Sequence, residues 1–149
     1  MPSIGDPRAL EQLIARLERV EATSVRRWGT LTPGEMLCHV ADATAGVLSA
    51  APRPPVKERP VARWIALCSP LPWPRGVPTL ARIDPRRDGT RPGDFARDRA
   101  RAVELLRQLA GAAEGTLPAG HARFGAMRHR DWLHWAWKHT DHHLRQFGV

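Results

Sequence analysis

The sequence predicts an all-α protein, a four-helix bundle in which a long Pro- and Arg-rich connection joins the second and third helices. Three observations carry this reading. Four stretches repeat apolar residues at helical spacing, and the first two open with strong helix-start residues. Ten of the 14 prolines fall between Pro52 and Pro92, where no long helix can pass unbroken. Four amphipathic helices bury their apolar stripes most simply against one another. A length of 149 residues fits a single domain over 1–149, and no internal repeat marks a second.

The first helix is expected over 6–21. Asp6 is a suitable N-cap with Pro7 at the first helical position, and Leu10, Ile14, Leu17 and Val20 form the apolar stripe. The second start is clearer still. In LTPGEML, Thr32 caps, Pro33 follows, and Glu35 completes a capping box, while Leu31 and Met36 form a hydrophobic staple. That helix should continue to about residue 50.

The connection that follows has its own chemistry. Residues 61–68, VARWIALC, suit a short helix, and SPLPWPRGVP and IDPRRDGTRPG suit rigid or turn-rich chain. Its length exceeds an ordinary bundle loop, which predicts a functional role or packing over one end of the core. Between Arg53 and Arg91, nine Lys and Arg face three Asp and Glu, so six of the eight net positive charges lie here. The apolar neighbours of Trp64 and Trp73 favour packing over base stacking. With no nucleic-acid reading motif beside the arginines, no specific DNA or RNA recognition is expected.

A third helix should span 94–111, with Ala102, Leu105, Leu106 and Leu109 inward. The fourth should span 129–146, where Trp132, Trp135, Ala136, His139, His143 and Gln146 share one face. Hydrophobic content of 42% suits a folded chain. Two cysteines, Cys38 and Cys68, are too few for a disulfide framework, and Cys38 sits in an apolar helical pattern as a buried free thiol. The N-terminus lacks a signal-peptide pattern, and no apolar run approaches the roughly 20 residues of a membrane span. A cytoplasmic protein without membrane contact is the expectation.

The stretch HTDHHLRQFG raises the functional question. On a helix, His139 and His143 lie one turn apart and can aim at one ion, but they supply only two ligands where about three are usual. His39, the one histidine in the first three predicted helices, lies beside Met36 and the apolar face of the second helix. Charged and unpaired there, it would be costly; a metal or a hydrogen-bond partner removes the cost. A satisfied core histidine and a solvated helix end explain the same residues. Choosing between these readings requires knowing whether the second and fourth helices are neighbours, which spacing does not decide.

RWGTLTPGEMLCHVADA and HARFGAMRHRDWLHWAWKHTDHHLRQFG resemble the two signature regions of the DinB/YfiT-like superfamily of metalloenzymes, more narrowly an uncharacterised bacterial branch of it. The resemblance covers both ends of the chain and implies the bundle with its long connection. It implies that His39, His139 and His143 hold a divalent metal, with Gln146 completing an HxxxHxxQ pattern. Zinc or nickel would suit such a site, and iron also accepts imidazole. Asp42, Asp141, His142 and Gln146 are candidates for the layer behind or beside the ligands; Met36, Trp132 and Trp135 are candidates for the pocket wall. The family's Phe-Gly turn falls on Phe124 and Gly125, but Arg128 stands where a small capping hydroxyl is expected.

Characterised relatives include thiol-dependent transferases and an isomerase that uses a low-molecular-weight thiol. The resemblance therefore implies thiol-dependent transfer to a small electrophile. A metal-dependent hydrolase and a non-enzymatic binding bundle are the alternatives. A small molecule is the expected substrate. Trp132, Trp135 and Trp137 carry more aromatic area than one helix face buries, which, with the dimers common in that superfamily, points to a homodimer.

Overall fold

Capping chemistry fixes where the helices begin. In the computed structural model, whose described residues are 1–49 and 59–149, the Asp6 carboxylate accepts from the Arg8 backbone N–H at 2.9 Å and opens α1 (Pro7–Glu18). Thr32 and Glu35 form the reciprocal capping box of α2 (Pro33–Leu48), at 3.2 and 2.8 Å. Pro60 starts α3 (Pro60–Cys68), and Asp94 accepts from the Arg97 N–H at 2.8 Å to start α4 (Phe95–Ala110). α5 (His129–Gln146) begins although Arg128 cannot cap it: the Asp131 carboxylate reaches back to the Arg128 backbone N–H at 2.9 Å. Before α5, β1 (Gly120–His121) and β2 (Gly125–Ala126) pair antiparallel around a turn in which Gly125 takes φ +74°.

The described residues thus form an all-α fold of five α-helices, one more than a strict four-helix count, with the additional α3 lying in the long connection. α1 ends at Glu18, earlier than expected, yet Val20 beyond it remains fully buried. α2 ends at Leu48; the expected end at residue 50 and the first part of the connection, to residue 58, lie outside the described residues.

α4 runs alongside α2 and touches α1 and α5, while α2 also meets α5 and α3 packs on α5. Leu13 and Leu17 of α1, Met36 and Val40 of α2, Leu106 and Leu109 of α4, and Leu144 of α5 are fully withdrawn from water in their shared core. Burying each leucine is worth about 1.5–3 kcal/mol. Leu105, expected inward, is only half-buried; the inward stripe of α4 is Ala102, Leu106 and Leu109. Cys38 is buried, and its thiol is pushed up to about 12, first by burial and then by nearby Asp98. No helix among the described residues is long and apolar enough to cross a membrane.

The described part of the connection folds back onto the bundle. Arg86 grips the Glu35 carboxylate with two hydrogen bonds of 2.7 Å and donates to the Thr30 carbonyl. That pairing holds Glu35 down to about 2 and pins the connection to the start of α2. Gly89 closes the turn: a Cβ there would lie 2.8 Å from the Asp84 carbonyl group, so no side chain fits. Trp73 packs as expected, donating from its indole to the Ala66 carbonyl at 2.7 Å. Trp64 does not pack against the core of the described residues. It is 60% exposed, because α3 turns Leu67 rather than Trp64 towards the core.

Candidate metal centre

Contact between α2 and α5 supplies the adjacency that spacing left open. His39 stands two turns into α2, and His139 and His143 stand one turn apart on α5. All three are buried, and one ring nitrogen from each falls within a set spanning 4.8 Å or less. The Nε2 atoms of His39 and His139 are 3.1 Å apart. Two ligands of a tetrahedral zinc at bond lengths of about 2.0–2.1 Å would sit roughly 3.3 Å apart, so this spacing is close to that of a shared ion.

The surroundings fix which nitrogen faces inward. His39 Nδ1 lies 2.7 Å from the Ile83 carbonyl oxygen, which can only accept, so that nitrogen carries the proton and Nε2 keeps its lone pair. His143 Nδ1 lies 3.0 Å from Gln146 Oε1, which orients it in the same way. Burial pushes the His39 pKa down and pushes those of His139 and His143 well down, with neighbouring imidazoles adding to the effect at the last two. Three neutral imidazoles with convergent ring nitrogens form a donor set that can coordinate a divalent metal once His139 gives up the proton between it and His39.

The walls are aromatic. Trp135 stacks on His139 with centroids 4.9 Å apart and planes 8° from parallel, and Trp132 meets Trp135 edge-on at 5.5 Å. Trp132 itself is one ring removed and donates to the Pro118 carbonyl. Met36 is fully buried in the core rather than on an open wall. His142 is half-buried, with its ring 5.2 Å from that of His143 and 4.9 Å from that of Trp28.

Neither candidate carboxylate bonds to a triad imidazole. Asp42 accepts from the Thr90 backbone at 2.6 Å, the Thr90 hydroxyl at 2.8 Å and Arg101 at 2.9 Å. It therefore anchors the loop whose Ile83 carbonyl meets His39. Asp141 is bound to Arg16 at 2.7 Å and Arg145 at 2.8 Å. Gln146, by contrast, touches His143 directly.

Sequence reasoning missed three contributors. The Ile83 carbonyl carries no side-chain signal. Trp73, its ring 6.1 Å from those of both His139 and His142, was legible as packed but not as site-facing. Trp28 gave no periodic signal, since it lies in the irregular segment after α1. This segment crosses the end of α5, where the Arg27 N–H donates to the Gln146 carbonyl at 2.6 Å.

A family model described as the DinB superfamily matches residues 5–147, a span that includes both histidine-bearing helices. No curated protein and no solved structure matches the chain. On the strength of a family match over nearly its whole length, the chain belongs to the DinB superfamily.

Proposed function

We propose that the protein is a divalent-metal-dependent enzyme acting on a small molecule, with His39, His139 and His143 as the metal ligands. The observation that carries this reading is the buried convergence of three neutral imidazoles, two of them oriented by acceptors at Nδ1. Zinc or nickel is the preferred ion and iron an acceptable one, since imidazole suits all three. When bound, the ion supplies Lewis-acid chemistry, acidifying a thiol or water at the position that three protein ligands leave open.

Thiol-dependent transfer is the preferred reaction. Hydrolysis gains from a free carboxylate base beside the site, but Asp42 and Asp141 are both spent on arginines. In our reading the thiol proton passes to His142, and the sulfur bonds to the electrophile as its leaving group departs. Burial lowers the His142 pKa and so keeps the ring neutral, with a nitrogen lone pair free. Trp73 and Trp135 limit water around the ligands, and Gln146 and Ile83 hold two of the rings in position. A metal-dependent hydrolase is the second reading, and a non-enzymatic binding bundle the third.

The four longer helices form, in this reading, a bundle of DinB/YfiT type in a single domain over 1–149, with α3 an addition within the Pro- and Arg-rich connection. The protein works in the cytoplasm, without specific nucleic-acid binding, as a homodimer. The exposed apolar residues Val61, Trp64 and Ile65 of α3 support a subunit contact; light scattering that gives a monomer mass at high micromolar protein rejects it.

The reaction is tested by mixing metal-loaded protein with a panel of thiols and electrophiles, and separately with model esters and amides. Metal-dependent thiol consumption, reduced in H142A, is the expected result. Metal-dependent ester or amide cleavage without thiol would replace it with the hydrolase.

A further inference from the structure

Beside the triad lies a cavity of about 600 Å³ that reaches the surface between the end of α5, the segment after α1 and the Pro-rich connection. Its charges are one-sided. Among its lining side chains, Arg27, Arg75, Lys138 and Arg145 stand against one carboxylate, Asp141, and the terminal residues Met1 and Val149 lie at its edge. Two of these charges are already committed. Lys138 donates to the Ser69 and Leu71 carbonyls at 2.7 and 2.8 Å, fastening the connection to α5. Arg145 shares Asp141 with Arg16. Arg27 and Arg75 make no ion pair with a described residue, and the Arg27 side chain makes one long hydrogen bond, to the Gly148 carbonyl at 3.5 Å.

Arg75 sits over an aromatic lining. The Arg75 guanidinium lies over the Trp28 ring, 5.0 Å from its centroid. Trp28 meets His142 at 4.9 Å, and Trp73, on the same cavity, is 6.1 Å from both His142 and His139. The lining therefore runs from two arginines without a carboxylate partner at the surface, across indole faces, to the edge of the histidine triad. An anion held at the arginines gains charge-assisted hydrogen bonds, while a planar body gains stacking area on the indoles.

We propose that this cavity is the binding site for a small organic anion, with its carboxylate or phosphate head on Arg27 and Arg75 and its planar apolar body against Trp28 and Trp73. The site assigns a substrate class to the proposed enzyme and rests on that reading only for the role of the triad; binding itself does not require a metal.

The test is a ¹H–¹⁵N NMR titration of the full chain at low salt with benzoate, phenyl phosphate and the neutral isostere benzamide. It is run on metal-loaded wild type, on metal-free H139A, and on R27Q/R75Q, whose two replaced side chains are exposed. The expected result is at least tenfold tighter binding of the anions than of benzamide, with shifts at the Trp28 and Trp73 indole N–H signals. Anion affinity should fall at least tenfold in R27Q/R75Q and with added salt, and persist in H139A. Equal affinity for benzamide, no effect of R27Q/R75Q, or no binding of any probe would overturn the proposal. Anion binding confined to metal-loaded protein would also overturn it, by moving the anion to the ion itself. Anion binding by a wild type that takes up no metal would leave the cavity assignment standing and remove the proposed enzyme.

Discussion

The Nε2 atoms of His39 and His139 lie 3.1 Å apart although a hundred residues separate them in the chain. Two imidazole nitrogens that close must share either a proton or a cation. His39 already gives its own proton to the Ile83 carbonyl through Nδ1, so without metal the shared proton belongs to His139. Long-range ¹H–¹⁵N spectra of the metal-free protein should show His39 and His143 as Nδ1–H tautomers and His139 as Nε2–H. Adding zinc should remove the His139 Nε2–H signal and leave the other two protons in place. An Nε2–H tautomer at His39 would contradict the assigned inward lone pair.

The buried histidines make the metal-free fold sensitive to acid. Their folded pKa values lie below the unfolded value of about 6.5, so below that pH the unfolded chain binds more protons than the folded one. Stability is then fully present above about pH 6.5 and falls as pH drops through the window towards the folded values. Each histidine contributes a slope of up to about 1.4 kcal/mol per pH unit within that window. Urea unfolding of metal-free protein should give a lower midpoint at pH 5 than at pH 8. H139A should flatten this dependence, and an unchanged slope in that variant would count against the buried neutral state.

Gly29 sits on no helix, yet it should influence the metal. It takes φ +81°, and a Cβ there would lie 2.6 Å from the Gln146 amide nitrogen. G29A should therefore displace Gln146 from His143 and cost about 1–3 kcal/mol in backbone strain. Q146A isolates the first effect and should lower metal affinity by roughly 10–100-fold with the fold retained. Competition with a metal-binding dye measures both; a wild-type affinity in Q146A would deny that residue its orienting role.

Asp42 should act on His39 at one remove. D42A releases the Thr90 and Arg101 contacts, at a cost of about 1 kcal/mol, since Thr90 and the Arg101 side chain are both exposed. The loop carrying Ile83 then loosens, and hydrogen exchange over 81–90 should quicken while metal affinity falls. Faster exchange without any change in affinity would make Asp42 a loop anchor only.

The legible parts of this molecule were those governed by local chemistry. Asp6, Thr32 with Glu35, and Asp94 announce their helices because a side-chain oxygen near free backbone N–H groups has few other uses. The spacing of His139 and His143 follows from helix geometry alone. What spacing could not supply was the meeting of α2 with α5, a tertiary fact, and for that the resemblance to a known family was needed. Trp64 departs from the expected packing because apolar neighbours in sequence do not reveal which face of a short helix turns inward. Ile83 was unreadable for a simpler reason: its contribution is a carbonyl, which every residue has.

The most direct test of the account is the metal content of untagged protein after reconstitution and removal of excess ion, measured by plasma mass spectrometry. It should be made on wild type and on H39A, H139A and H143A, each checked for helical content. Wild type should hold about one divalent ion per chain, as expected from three convergent ligands, and every variant should lose most of it. A full equivalent retained in any of the three, or a folded wild type that takes up none, would contradict the assignment of the triad.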